Sequence, residues 1–362
     1  MNFLLSSQQH EMQRAVERYL DENIDTTALH KLFDDESETG GHDARLWAGL
    51  AELGILGIAV PEEDGGLGLE MLDLALVAET IGSRAAPVPF IGHVLAMLAI
   101  AWAGSAEQKA RWLPALMDGS VIASVGFAGG QGQWEPSGWP VASSDRLSAQ
   151  WTLVPGAPVA QLFVLGLAGG ELAIIERGAA GVSVAARASS DRTRRIGTVT
   201  LTDAPVERLH GFLAQAERLR DAALILLAAD AFGGATRCHE IAVAYAKDRV
   251  QFGQPIGQFQ AVKHQLADMV IAVEPARGLH WYAAHAFDHG ERAEAAHMAA
   301  LAKAHLADVY LATARRCVEI HGGMGYTWEL DVHIFLRRAM FDHAWMGIPS
   351  HHRARAADLA GW

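Results

Sequence analysis

Hydrophobic residues recur at helical spacing through the first 118 or so residues, alternate at strand spacing through the next stretch, then return to helical spacing up to the C-terminus. Few architectures accommodate that order. Ser6 with Gln9 forms a capping-box pattern ahead of Met12, Val16 and Leu20, so a helix opens the chain. Beyond a polar segment, Asp21 to Gly41, a second helix is predicted through Leu46, Trp47, Leu50, Leu53 and Leu56, ended by Gly54 and Gly57. Ile58 to Pro61 reads as extended chain leading to an acidic, glycine-rich turn, Glu62 to Gly68. Leu72 to Ile81, Ile91 to Ala103 and Glu107 to Met117 continue the helical pattern, with Pro87 and Pro89 separating the first two.

Six short segments follow: Ile122 to Phe127, Trp151 to Val154, Leu162 to Leu167, Glu171 to Ile175, Val182 to Ala185 and Thr198 to Leu201. They are apolar or alternating and are divided by Gly, Pro, Ser or Asp, which predicts a small antiparallel barrel or sandwich. Helices resume from Arg218 to Asp248, 259 to 274, His280 to Asp288, Ala295 to His321 and Asp331 to Met346, with an interruption expected at Pro275 and Gly278. The fold class is therefore α+β, mainly α. An N-terminal helical domain over 1–118, a middle β-barrel or sandwich over 119–208 and a C-terminal four-helix bundle over 209–362 are expected.

Composition narrows the function. No apolar run approaches the ~20 residues that span a bilayer, and the opening helix carries Glu11, Arg14, Glu17 and Arg18 rather than a secretory signal, so a cytoplasmic location without membrane is expected. A formal charge of -13 opposes contact with nucleic-acid phosphates, so no nucleic-acid partner is expected. Cys238 and Cys317 have no metal spacing and read as buried thiols. His285 and His289 have the i, i+4 spacing of metal ligands but lack a companion glutamate, and a solvated helix face explains them better; no metal is expected.

One stretch carries chemistry. Arg249 to Gln260 joins two helical patterns through a Gly/Pro turn and fixes a cation, amides and two aromatics, Phe252 and Phe259, at close spacing. Taken alone, Arg249 suits a helix C-terminus, Phe252 and Phe259 suit a core, Gln260 suits a surface, and Gly322 to Gly325 suit a helix stop. The glycine-rich loop Gly126 to Gly132 reads equally as a cofactor cradle or a surface hairpin.

With Leu53 to Leu69, Gly104 to Asp118 and His321 to Arg338, the Arg249 stretch resembles the acyl-CoA dehydrogenases over essentially the whole chain. The resemblance is closest to actinobacterial-style members, which include base-deficient subunits of heteromeric steroid-type enzymes. It implies FAD as cofactor, an acyl-CoA thioester as substrate, a role in lipid or steroid catabolism, and assembly as a dimer or tetramer. It implies that Arg249, with Gln251 and Phe252 alongside and Gln260 adding a polar contact, reaches FAD held by a neighbouring subunit. Guanidinium matches phosphate oxygens bidentately. Gly322 and Gly323 match the family's second pyrophosphate-binding stretch, where backbone amides need close approach. The family usually has Gln where Glu319 stands, and a carboxylate there would repel a pyrophosphate.

The family's reaction needs a carboxylate base beside the substrate's α-carbon. Its two customary positions correspond to Ala223 and Met346, neither of which accepts a proton, so no catalytic residue is assigned. Asp230, Asp342 and His343 lie nearby and read as satisfied structural groups, and the run His351, His352, Arg353 reads as a polar end. In the β-domain, Ser124 to Gly130 and Trp151 to Pro155 occupy the flavin-flanking places without the family's usual residues. The expected function is an acyl-CoA dehydrogenase subunit that completes an FAD site with a glutamate-bearing paralogue. A self-sufficient dehydrogenase or oxidase with a displaced acid, and a cofactor-free structural subunit, are the alternatives.

Overall fold

A computed structural model describes residues 4–34, 42–130, 133–142, 145–210 and 213–362. The tail of the predicted polar segment, 35–41, and Gln131 and Gly132 of the glycine-rich loop lie outside the described residues. Helices α1 (Ser7–Asn23), α2 (Thr26–Asp34), α3 (Ala44–Glu52), α4 (Met71–Ser83), α5 (Phe90–Ala103) and α6 (Ala106–Met117) come first. Strands β1 (Ala123–Gly126), β2 (Ala128–Gly129), β3 (Arg146–Pro155), β4 (Leu162–Leu167), β5 (Glu171–Glu176), β6 (Val182–Arg187), β7 (Ile196–Pro205) and β8 (Glu207–Arg208) follow. The remainder is α7 (Leu213–Asp248), a hairpin of β9 (Val250–Gln251) and β10 (Gln254–Pro255), then α8 (Gln260–Val273), α9 (Ala276–His289), α10 (Arg292–His321), α11 (Val332–Ala344) and α12 (Pro349–Leu359). The order of helices, sheets and helices is the one predicted. No helix among the described residues is long and apolar enough to cross a membrane.

The α1 cap forms as predicted, the Ser6 hydroxyl accepting from the Gln9 amide at 3.1 Å and the Gln9 side chain accepting from the Ser6 amide at 2.9 Å. Several local expectations are corrected. Ile58 has helical backbone angles instead of extending, because it closes a short 3-10 turn over Ile55–Gly57. The polar segment contains α2, and the supposed polar end is α12, in which His352 is 1% exposed. Gly278 does not interrupt α9; Pro275 alone separates it from α8.

Two compact units can be distinguished, each discontinuous in sequence. One comprises 23–74 and 87–223. Its strands form two four-stranded sheets, β1-β4-β5-β8 and β2-β3-β7-β6. All pairs are antiparallel except β1 with β4, a parallel pair that the strand-by-strand pattern does not reveal. The Trp151 indole of β3 donates to the Gly166 carbonyl of β4 at 2.9 Å, linking the sheets through their core. Helix α5 is apolar on almost every side and almost wholly buried, as such a helix must be. His93 fixes it: the ring accepts from the Ala123 amide at Nδ1 (3.1 Å), leaving Nε2–H to donate to the Leu116 carbonyl (2.9 Å). Burial holds this imidazole's pKa down to about 4, so it is neutral at pH 7.

The other unit comprises 1–22, 75–86 and 224–362. Helix α10 runs through it against α8, α9, α11 and α12. Its buried face is rich in alanine, including Ala295, Ala299, Ala302 and Ala307, and small side chains let neighbouring helices approach. Within this unit α4 and α7 cross so closely that a side chain at Gly82 would overlap the Asp230 backbone and one at Gly233 that of Glu79. Gly234, on the adjoining position, receives the buried Tyr310 ring of α10.

Beside this crossing lies a buried ion pair. Both carboxylate oxygens of Asp230 accept from Arg338 of α11, at 2.8 and 3.1 Å, and Arg338 also donates to the Ala86 carbonyl at 3.1 Å. Asp230→Ala would leave the guanidinium buried without its counter-charge and is expected to cost about 3–5 kcal/mol. The double variant with Arg338→Met is expected to recover part of that loss. Chemical denaturation of the three proteins checks this; a single variant as stable as wild type would refute it.

Candidate functional site

At the end of α7 the Arg249 amide still bonds back to the Tyr245 carbonyl, at 2.8 Å. The chain then turns sharply. Gln251 pairs with Gln254 and Val250 with Pro255, leaving Phe252 and Gly253 as a two-residue hairpin turn. Both have positive φ, +54° and +80°, as a type I′ turn requires. Glycine adopts that angle freely, whereas a bulky residue there is an outlier. The Phe252 side chain is also 92% exposed, touching Phe259 edge-on at a centroid distance of 6.0 Å. This chain thus holds an aromatic ring in solvent on a strained backbone.

The rest of the stretch is also presented outward. Arg249, Gln251 and Gln260 are exposed. Gln251 bonds only locally, from Nε2 to the Val250 carbonyl at 2.8 Å. Among the described residues, the Arg249 guanidinium has no hydrogen-bond or ion-pair partner. The hairpin's return is clamped by the Ile256 amide donating to the Arg249 carbonyl at 2.8 Å. Gly257 then passes so near α7 that a Cβ would lie 2.9 Å from the Ala246 carbonyl oxygen.

The second predicted stretch begins where α10 stops. Gly322, at φ +59°, provides the helix end. Gly325 is buried, and a Cβ there would lie 2.6 Å from the Val318 carbonyl oxygen. Neither reason applies to Gly323: its φ is not positive and a Cβ would meet nothing within 4 Å. The fold of this chain does not require glycine there, although a group lying against that backbone would. Glu319 is exposed nearby, and its carbonyl caps the Gly322 amide.

The two stretches meet through residues that the sequence reading passed over. Tyr245, one turn before Arg249, stacks on His321, the residue before Gly322, with centroids 4.1 Å apart and planes at 29°. Its hydroxyl lies 3.5 Å from the His321 carbonyl oxygen. Their only sequence signal is position: one lies a helical turn ahead of the cation, the other abuts the glycines. Behind them His321 Nδ1 donates to the Cys317 carbonyl at 2.7 Å. Cys238 and Cys317 are buried free thiols, as expected. The neighbouring Cys238 thiol, and then His321, pull the Cys317 thiol's pKa below its ordinary value against the opposing effect of burial.

Alanine and methionine stand at the two positions where the resemblance leads one to expect a base. Ala223 is fully buried, and Met346 is 3% exposed at φ +62° with its carbonyl accepting from His352 Nε2 at 2.9 Å. Asp230 is committed to Arg338, and the Asp342 backbone carbonyl accepts from the buried Lys303 ammonium. His343 faces Asp308 at 3.2 Å. His285 and His289 lie ring to ring at 4.6 Å, and no group of three potential metal ligands exists among the described residues. A cavity of about 380 Å³ between α1, α4 and α7 is lined by Glu17, Arg84, Arg237 and Glu240, whose charges pair with one another.

Helices, paired small sheets and a helical bundle follow one another in the order of a family of oxidoreductases acting on CH–CH bonds. The models of the acyl-CoA dehydrogenase N-terminal and C-terminal domains match residues 6–120 and 210–358. Acyl-CoA dehydrogenase IpdE2 of Mycolicibacterium smegmatis is 32% identical, covering 87% of each chain. Among solved structures, a variant of the Tcur3481–Tcur3483 steroid ACAD is 31% identical with a TM-score of 0.89, covering 98% of each chain. The ChsE4–ChsE5 complex from Mycobacterium tuberculosis is 27% identical with a TM-score of 0.89, covering 100% of this chain and 99% of that one. The chain belongs to the acyl-CoA dehydrogenase family.

The strain at Phe252 has a measurable consequence. Phe252→Asn places a residue tolerant of positive φ in the turn and removes an exposed ring, so it is expected to stabilise the isolated chain by about 1 kcal/mol. A denaturant midpoint equal to or below that of wild type would contradict the turn geometry.

Proposed function

We propose that this chain is the base-deficient subunit of a heteromeric acyl-CoA dehydrogenase and completes an FAD site together with a glutamate-bearing homologue. The observation that carries the reading is Phe252, strained and 92% exposed beside an unpartnered Arg249. Such a turn gains nothing from this chain's own fold and suits a surface completed by another molecule.

The residues present fit the cofactor. Arg249 supplies a free bidentate donor for a pyrophosphate, and Gly323 supplies backbone that a side chain would otherwise cover. Gln251 and Gln260 add amide donors, and Phe252 offers a flat apolar surface to the cofactor or to the subunit that holds it. Bound FAD would supply the acceptor for the hydride leaving the substrate's β-carbon. This chain's part is to bind and orient, because proton removal from the α-carbon needs a carboxylate. Alanine and methionine stand at the two base positions, and the nearby Asp230 has both oxygens occupied by Arg338. The base therefore comes from the partner.

The substrate class is an acyl-CoA thioester, with a bulky steroid-type acyl group favoured by the likeness to a steroid ACAD at 31% identity. A paired assembly is favoured by the likeness to the ChsE4–ChsE5 complex. A cytoplasmic site of action accords with the absence, among the described residues, of a helix able to cross a membrane.

The test is co-expression with a homologue bearing the glutamate, followed by flavin stoichiometry and acyl-CoA oxidation for each chain alone and for the pair. The pair is expected to be yellow and active, and the isolated chain inactive. Arg249→Ala in the assembled oligomer is expected to weaken flavin retention about tenfold or more, the effect of losing a charge-assisted hydrogen bond. Turnover by the isolated chain would reject the base-deficient reading, and a flavin-free active pair would reject the cofactor reading.

A further inference from the structure

We infer that Tyr245 and His321 are a positioning pair that sets the spacing between the Arg249 turn and the Gly322–Gly323 backbone, so that both reach one pyrophosphate. The inference rests on the cofactor reading above.

The two stretches come from different helices far apart in sequence, and a bidentate phosphate contact requires them to agree closely in position. The structure supplies a rigid link between them. The Tyr245 ring lies on the His321 ring at 4.1 Å, and a stacked pair is favoured beyond the area it buries and in a preferred offset geometry. The imidazole is fixed from its other side by Nδ1 donating to the Cys317 carbonyl at 2.7 Å, within α10 itself. The His321 carbonyl, where α10 passes into a 3-10 turn over Gly322–Tyr326, has the Tyr245 hydroxyl 3.5 Å away. Tyr245 is thus tied to the ring and to the backbone of the residue from which the glycine turn departs. Arg249 follows one helical turn later, about 6 Å along the axis, with its amide bonded to the Tyr245 carbonyl.

The two helices also pack together away from this pair. That contact is made about three turns away, where Gly234 of α7 receives Tyr310 of α10. Loss of the stack should therefore loosen the site's spacing and leave the bundle standing.

The experiment uses the assembled flavoprotein, with FAD as the probe, and compares Tyr245→Leu, Tyr245→Phe and Arg249→Ala. Tyr245→Leu, which removes the ring at similar volume, is expected to raise the FAD dissociation constant about tenfold. The absorbance band of the remaining bound flavin is expected to shift, and Tm to stay within about 3 °C of wild type. Tyr245→Phe keeps the stack, loses only a long hydrogen bond, and is expected to stay within about threefold of wild type. Wild-type flavin affinity in Tyr245→Leu, alongside loss in Arg249→Ala, overturns this inference alone. Wild-type affinity in Arg249→Ala overturns the cofactor reading beneath it. Equal loss of affinity in Tyr245→Leu and Tyr245→Phe, with a fallen Tm in both, shows a merely structural role and also overturns the inference.

Discussion

The bundle unit depends on how Asp230 and Arg338 are buried together. Placing two full charges where neither reaches water is unfavourable unless each is met by hydrogen bonds of good geometry. Here the two carboxylate oxygens take two guanidinium nitrogens, and a third guanidinium bond goes to the Ala86 carbonyl, just past α4. The pair thereby fixes α7, α11 and the segment after α4 at one point, beside the glycine crossing at Gly82 and Gly233. The same commitment has a chemical consequence. Asp230 lies about two helical turns beyond Ala223 and is the carboxylate that could be imagined in place of a missing base. Each of its oxygens already accepts a charge-assisted hydrogen bond from Arg338, and its removal is a matter of folding before it is one of chemistry.

From that core the close packing continues along the helices that lead to the hairpin and the glycine turn. Glycine and alanine let α4, α7 and α10 pack with little intervening side chain, so the ends of α7 and α10 are defined by the same contacts that define their middles. The hairpin and the glycine turn begin at those ends. Their exposed residues are held by backbone bonds: Arg249 amide to Tyr245, Ile256 amide to Arg249 and Gly322 amide to Glu319. The side chains are left free to meet something else.

Much of this was legible because the signals are local. The capping box at Ser6, the bounds of β4 and the all-apolar α5 follow from spacing and residue type. What was missed depends on contacts between distant segments. Helix α12 looked polar because His351, His352 and Arg353 carry its charge, yet His352 is buried by bonding to the Met346 carbonyl. The parallel pairing of β1 with β4 is a matter of topology and leaves no mark on either strand. In the site, the resemblance covered Arg249 and the segment through His321 to Gly323, but it gave no role to Tyr245 or His321. The strain at Phe252 was invisible for another reason: a sequence reader expects asparagine or glycine where φ is positive, and phenylalanine there argues against the very turn it occupies.

That contradiction is also the best guide to assembly. A sequence in which local preference and fold agree has no reason to keep phenylalanine at positive φ with its ring in water. Val250, Tyr326 and Trp328 are likewise large, apolar and exposed, and they flank the same two stretches. On the proposed reading these side chains belong to a face that another molecule covers. The exposed Glu319 carboxylate works in the opposite sense, since it repels phosphate near the glycines that would receive it. On the proposed reading, a site so composed holds a doubly charged cofactor weakly by itself. On that same reading it becomes favourable when a second subunit supplies further donors and covers the apolar rim, and the base comes from that subunit.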